Sequence, residues 1–234
     1  TGSLGRWQLS RAAEKEALQA MRDQRGCLPA IDGRALLAAK ELPADDPHSL
    51  FHRTVRLQGR WLAEHTVYLD NRQMQGRPGF FVLTPLELAE PAGGVVLVQR
   101  GWVARNFQDR AQLPAVQTPQ DVVVDVQGVV APPPSRLYEF QGADRAQGSS
   151  RIRQNLDLAS FRTETGLALA PFTVLQTDAA SEGLLRDWPV VGTGVDKHYG
   201  YAFQWFGLCG LIALLYVWFQ IVRRFIRPRS QPAA

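Results

Sequence analysis

The most strongly apolar segment of the chain lies close to its C-terminal end. Residues 201–222, YAFQWFGLCGLIALLYVWFQIV, contain no charged side chain, and their strongly polar members, Gln204 and Gln220, lie near the two ends. A helix that crosses the hydrocarbon core of a bilayer needs about 20 predominantly apolar residues. Tyrosine and tryptophan also occur toward both ends of the run, where membrane–water interfaces favour them. The pattern therefore predicts a membrane-spanning helix.

The chain before this run is dominated by strand signals. Segments rich in β-branched and aromatic residues are separated by glycine and proline clusters, and they lie at 52–58, 60–70, 79–84, 95–99, 122–130 and 172–177. Helices are predicted at 4–25, 33–40 and 157–165, the last with Asp157 as N-cap and Gly166 as its stop. The spacing favours an α+β fold, with an antiparallel β-rich sheet or small barrel, flanking helices and a C-terminal transmembrane helix.

Charge sets the expected orientation of these parts. The net charge is +4, but Arg223, Arg224, Arg227 and Arg229 all follow the apolar run, and without them basic and acidic residues are equal in number. A basic flank indicates a cytoplasmic C-terminus, which puts the bulk of the chain on the other side of the membrane. No basic face remains for nucleic acid, so a nucleic-acid partner is not expected.

The predicted regions follow from the pattern and the charge together. We expect a juxtamembrane helix at 1–27, an extracytoplasmic β-rich domain at 28–197, a transmembrane helix at 198–226 and a cytoplasmic basic tail at 227–234. The chain begins at Thr1, and residues 1–60 contain neither a spanning apolar run nor a signal peptide. Since such a domain needs an upstream element to cross a membrane, we expect a first membrane helix that ends near Thr1.

Motifs of standard catalytic and metal sites are missing from the sequence. Cys27 and Cys209 are the two cysteines, which excludes a disulfide framework, a cysteine-based zinc site and attached c-type haem. No nucleophile elbow, phosphate loop, dinucleotide fingerprint or zinc-protease motif is present, so an enzyme is not supported. Arg100-Gly101-Trp102 follows a strong strand, and its structural interpretation is a strand end clamped under an aromatic ring.

His198 is the most informative single residue for function. If the apolar helix begins a turn early, His198, Tyr201 and Trp205 share one helix face at i, i+3 and i+7. An imidazole nitrogen is a standard axial ligand of haem iron, and aromatic rings pack well against a flat macrocycle. The alternative is an interfacial histidine that anchors the helix end and binds nothing.

Several short motifs in order along the chain resemble the Surfeit locus protein 1 family of cytochrome c oxidase assembly factors, in its bacterial branch. The segments that carry the resemblance are Leu4–Gln8, Leu69–Arg72, Gly79–Leu86, Val98–Val103, Gln154–Asp157 and His198–Phe206. Each is weak alone, but the ordered set is specific. The resemblance implies two membrane helices that flank a periplasmic domain, in a multi-pass protein of the bacterial inner membrane.

The same resemblance implies a function without catalysis. Bacterial members are thought to bind haem a and to help deliver it to subunit I of the oxidase, with a proposed ligand at the position of His198. Tyr201 and Trp205 are then expected to supply apolar walls, and oxidase subunits, other assembly factors and membrane lipid are the expected partners.

Two other hypotheses for the function stay open. A cofactor-free scaffold would bind early oxidase subunits through Gly207, Gly210 and Ala213, whereas an extracytoplasmic enzyme would belong to another class.

The orientation gives a direct test with topology reporters. A reporter that is active only outside the cytoplasm should be silent when fused after Ala234, because the arginines that follow Val222 hold the C-terminus inside. The same reporter inserted at Asp46, with an upstream membrane helix present, should be active. Activity of the C-terminal fusion would exclude this orientation.

Overall fold

The computed structural model describes residues 1–38, 50–90, 93–106, 113–135, 137, 150–188 and 194–223. The chain divides into a helical unit, Thr1–Asp23 with Val191–Ala234, and a barrel unit, Gln24–Val190. The expected divisions at 27/28 and 197/198 concern membrane topology and stay predictions, and the expected tail 227–234 lies outside the described residues.

Helices and strands follow one another in a mixed order along the chain. The helices are α1 (Gly2–Gly26), α2 (Gly33–Ala38), α3 (Leu158–Thr165) and α4 (Val195–Val217), which continues as a π-helical turn at Trp218–Val222. The strands are β1 (Thr54–Trp61), β2 (Val67–Met74), β3 (Arg77–Leu88), β4 (Val95–Ala104), β5 (Val124–Ala131), β6 (Ile152–Arg153) and β7 (Leu169–Gln176), with a 3-10 turn at Ala63–His65.

Five strands close into a small barrel in the order β1-β5-β7-β4-β3, and β3 pairs back onto β1. The expected α+β fold with a small barrel is confirmed. The pairings among the described strands are antiparallel except for β4 with β7 and β2 with β6, which are parallel. Gly59 lies where β1 meets β3, and a Cβ atom there would collide with the carbonyl oxygen of Glu87. The closure therefore depends on glycine at this position.

The long apolar run of β4 is explained by burial on both of its faces. Val96 and Val98 point into the barrel core, whereas Val95 and Leu97 pack in a second cluster with Phe161 of α3. A strand covered on both faces is apolar at successive positions, so alternation is lost. The caps of α3 are as predicted: Asp157 accepts a hydrogen bond from the Ser160 amide at 2.8 Å, and Gly166 ends the helix at φ 70°.

The expected place of Arg100-Gly101-Trp102 at a strand end is wrong. The triplet lies within β4, where a shift in register opposite Val82 and Leu83 leaves Arg100 as an extra residue. Such a bulge re-aims a side chain, and Arg100 is wholly buried with its guanidinium 4.7 Å from the centre of the Trp61 ring. Trp102 has a different role, because its indole N–H donates to the Arg72 carbonyl oxygen at 2.9 Å.

Buried Arg100 is the centre of a polar network within the barrel unit. Its guanidinium pairs with Glu182 at 2.6 Å and donates to the Thr118 hydroxyl at 2.7 Å and to the Gln117 carbonyl oxygen at 3.1 Å. Arg186 donates from Nε to the carbonyl oxygen of Arg100 at 2.7 Å, and burial lowers the pKa of Arg186. The network therefore joins β4 to two segments that lie outside the strands.

Substitution of two glutamates tests how much this network contributes to the free energy of unfolding. Removing one partner of a buried ion pair leaves an uncompensated charge, so Glu182→Gln should lower the free energy of unfolding by about 3–5 kcal/mol. Glu90→Gln is the matched control, since Glu90 and its partner Arg34 are about three-quarters exposed, and it should change that free energy by less than about 1 kcal/mol. Denaturant unfolding of the full chain in detergent measures the free energy of unfolding of both variants. Equal losses in Glu182→Gln and Glu90→Gln would contradict the structural role given to the Arg100 network.

Candidate functional site

Helix α4 differs from the rest of the described chain in being apolar and yet exposed. Val195–Ile221 has a mean hydropathy of 1.7 in its most apolar window, of which 6% is buried. Phe203, Leu214 and Tyr216 are 80%, 70% and 66% exposed. A core helix of this composition would be covered by protein, so the helix is long and apolar enough to cross a membrane and exposes the side chains that lipid would cover.

The sequence-predicted site residues all lie in the first half of α4. The helix begins at Val195, three residues before the expected start at residue 198. His198, Tyr201 and Trp205 therefore all lie within the helix and share one face by its periodicity. His198 and Trp205 are partly buried, whereas Tyr201 is 52% exposed. The three side chains thus form an accessible strip that starts at the imidazole.

Helix α1 packs along this part of α4 in the antiparallel direction. A Cβ atom on Gly5 would lie 2.9 Å from the Phe206 ring, and one on Gly2 would lie 3.6 Å from Sγ of Cys209. Ala12 and Ala202 are buried where small side chains let helices approach closely. The amino-terminal half of α1 is therefore held directly against α4 within the helical unit.

This packing gives His198 a hydrogen-bond partner that sequence reasoning missed. Nδ1 of His198 lies 2.6 Å from Oε1 of Gln8, and the hydroxyl of Tyr199 donates to Oε1 of Glu16 at 3.0 Å. Gln8 belongs to the Leu4–Gln8 motif, but 190 positions separate it from His198. Gln8 had no role of its own in the sequence analysis, because its contact with His198 depends on how two distant helices pack.

The other ring nitrogen of His198, Nε2, is the candidate ligand atom. Within the described ranges, Nε2 makes no hydrogen bond. The same ranges contain no group of three or more histidine, cysteine, aspartate or glutamate side chains that could hold a metal ion. A single imidazole nitrogen is a donor that haem iron, whose macrocycle supplies its other ligands, takes as an axial ligand.

The barrel unit contains a cavity of a different character. It has a volume of about 500 Å³, and its lining includes Trp61, Tyr68, Glu64, Asp121 and Arg151. Burial raises the pKa of the Tyr68 hydroxyl, so this group stays protonated at neutral pH. Carboxylate and guanidinium groups line the cavity together, and this mixture selects neither an anionic nor a cationic ligand.

Comparisons with known proteins agree on one family. The sequence model of the SURF1 family matches residues 1–210. A SURF1-like protein from Rickettsia felis is 27% identical over 221 residues, covering 92% of this chain and 89% of the relative. The cytochrome oxidase assembly protein SHY1 of Saccharomyces cerevisiae is 25% identical over 190 residues, covering 80% of this chain and 45% of the relative.

Disulfide formation tests the pairing of α1 with α4. Gly2→Cys in a Cys27→Ser background should form an intramolecular disulfide with Cys209 under mild oxidation, because the new Cβ would lie 3.6 Å from the Cys209 sulfur. Thiol titration and mass spectrometry of the unreduced protein measure the bond.

The control for this experiment moves the second cysteine by one position. With Gly2→Cys, Cys27→Ser, Cys209→Ala and Gly210→Cys combined, the thiol turns about 100° around α4, to a position with no atom within 4 Å of its Cβ. This control should stay reduced. Two free thiols in the Gly2→Cys variant, or equal oxidation of variant and control, would contradict the observed packing.

Proposed function

Because the chain belongs to the SURF1 family, we propose that it is a membrane-anchored assembly factor for cytochrome oxidase that binds haem a. In this proposal it aids delivery of haem a to subunit I of the oxidase or its insertion there. A role in oxidase assembly is supported by the family and by the name of the yeast relative, a cytochrome oxidase assembly protein. The proposal includes contacts with other oxidase subunits or assembly factors.

The observation that carries the haem-binding proposal is the environment of the His198 imidazole. One ring nitrogen is engaged by Gln8 at 2.6 Å, while the other makes no hydrogen bond to any described residue. When bound, haem a would supply an iron centre that takes an imidazole nitrogen as axial ligand. His198 would provide that nitrogen from a helix, which restricts its position more tightly than a loop would.

Tyr201 and Trp205 would supply apolar contact area on the same face as His198. Tyr201 is 52% exposed and Trp205 is partly buried, so both rings have surface left to cover a macrocycle. Aromatic side chains contribute large apolar areas with few rotatable bonds. These two residues would therefore set affinity and orientation, whereas His198 would set ligation.

Release follows from the same architecture. One exchangeable axial bond and an open apolar face hold a ligand less permanently than a closed pocket, and a partner that binds the ligand better can shift it away. This matches the needs of a carrier that must give up its haem.

In this proposal the protein lies in the bacterial inner membrane, as a multi-pass protein with its main domain in the periplasm.

A cofactor-free scaffold is the second candidate, and one observation favours it. Cβ atoms built on Gly207 and Gly210 meet no atom within 4 Å, so this part of α4 has open space beside its backbone. Small residues let transmembrane helices approach closely. A helix of an early oxidase subunit could pack there, next to Ala213, without any haem.

Haem content of purified variants tests the proposed function. Substituting His198 with alanine removes the donor nitrogen but keeps a strong helix former, so the fold should survive. Changes in the partners of a metal ligand already reduce metal affinity about 10–100-fold, so loss of the ligand itself should lower haem content by more than about tenfold. The measurement is haem per protein after purification from cells that make haem a.

Two controls accompany the His198→Ala variant. His65→Ala removes a histidine of the barrel unit that lies 3.7 Å from Glu64, and it should leave haem content unchanged. Trp205→Leu should perturb the haem spectrum or affinity without abolishing ligation. Equal haem content in wild type and His198→Ala would exclude His198 as the ligand and would favour the scaffold.

A further inference from the structure

The direction of the hydrogen bond between Gln8 and His198 depends on the imidazole tautomer and on the orientation of the glutamine amide. Oε1 of a glutamine amide carries no proton and can only accept. With the Gln8 amide oriented so that Oε1 faces Nδ1 of His198 at 2.6 Å, Nδ1 is the donor, which corresponds to the tautomer with its proton on Nδ1. A neutral imidazole with its proton on Nδ1 has its lone pair on Nε2.

Packing between α1 and α4 brings the two side chains together. Gln8 lies on α1 one turn after Gly5, and the Phe206 ring packs directly on the backbone at Gly5. Tyr199, the neighbour of His198 in sequence, donates separately to Glu16. The hydrogen bonds of His198 and Tyr199 therefore both connect the start of α4 to α1.

We propose that Gln8 is a positioning residue for His198. It holds the proton on Nδ1, so that Nε2 is the nitrogen offered to a metal, and it orients the ring toward the accessible side of the helix pair. Its effect on haem rests on the function proposed above. A partner that accepts the second N–H of a histidine ligand also raises the basicity of the ligating nitrogen. Gln8 would therefore tune the bound iron as well as the geometry.

The first experiment needs no haem. The full chain is purified in detergent from cells that lack haem a, with nitrogen-15 in its histidines, and imidazole tautomers are read by NMR in alkaline buffer. The His198 signal, assigned by its loss in His198→Ala, should report the proton on Nδ1. In Gln8→Met, which has a similar length but no amide acceptor, the single tautomer should be lost. A proton on Nε2 in wild type, or an unchanged tautomer in Gln8→Met, would overturn the proposal.

The second experiment uses the haem-loaded protein. Gln8→Met should weaken haem binding about 10–100-fold, the usual effect of removing such a partner. It should also raise the midpoint potential of the iron, because a less basic ligand stabilises the ferric state less. Gln8→Glu keeps an acceptor and makes it anionic, so it should retain haem and lower the potential. Unchanged affinity and potential in Gln8→Met would overturn the proposal.

Tyr199→Phe is the matched control for a purely structural effect. It removes a second hydrogen bond between described residues of the two helices, the one to Glu16, and leaves Gln8 in place. Tautomer and potential should remain as in wild type. If Tyr199→Phe shifts both as far as Gln8→Met does, Gln8 acts only through helix pairing and the proposal is wrong.

Failure of this inference can be separated from failure of the proposed function. If His198→Ala keeps its haem, haem ligation by His198 is wrong, and the role of Gln8 toward haem falls with it, while the tautomer measured without haem still tests its positioning of the ring. If His198→Ala loses haem but Gln8→Met keeps both tautomer and potential, the ligand assignment stands and the positioning role alone is overturned.

Discussion

The barrel unit depends most on the ion pair and hydrogen bonds that the buried guanidinium of Arg100 makes. The desolvation of this guanidinium is offset by the carboxylate of Glu182, by polar groups of residues 117–118 and by the face of Trp61. These partners come from segments far apart in sequence, so one residue connects the end of β1, an irregular segment and the chain after β7. Loss of any one of these partners would leave a buried charge or polar group unsatisfied, which would destabilise this arrangement of the barrel unit.

The helical unit depends on a different feature. Because Gly5 has no side chain, α1 can pack closely against α4. Phe206 occupies the space that a Cβ atom would need. This close approach lets Gln8 reach His198 from the neighbouring helix. A charged or polar network specifies the barrel, whereas steric fit between small and aromatic residues specifies the pair of helices. The proposed haem ligand lies in the unit that depends on steric fit, where an exposed apolar face is available for a flat ligand.

Local signals in the sequence were sufficient for some of these features and insufficient for others. The apolar run after Tyr201 and the caps of α3 could be predicted, because each depends on residues that are neighbours along the chain. The burial of the Arg100 side chain could not be predicted, since it depends on a one-residue shift in register between β3 and β4. The contact of Gln8 with His198 joins two helices at opposite ends of the chain. His198 was found through its position and family motif, whereas Gln8 needed the three-dimensional packing.

The most direct test of the central claim uses a chain in which His198 is the only histidine. The sequence has four histidines, so His48→Gln, His52→Asn and His65→Gln leave one; asparagine suits position 52, where φ is 70°. The protein is labelled with nitrogen-15 in histidine and purified with ferric haem a, and pulsed EPR measures the nitrogen coupling to the iron. We predict wild-type haem content and coupling to one labelled imidazole. Loss of the haem, or haem without coupling to the label, would contradict ligation by His198.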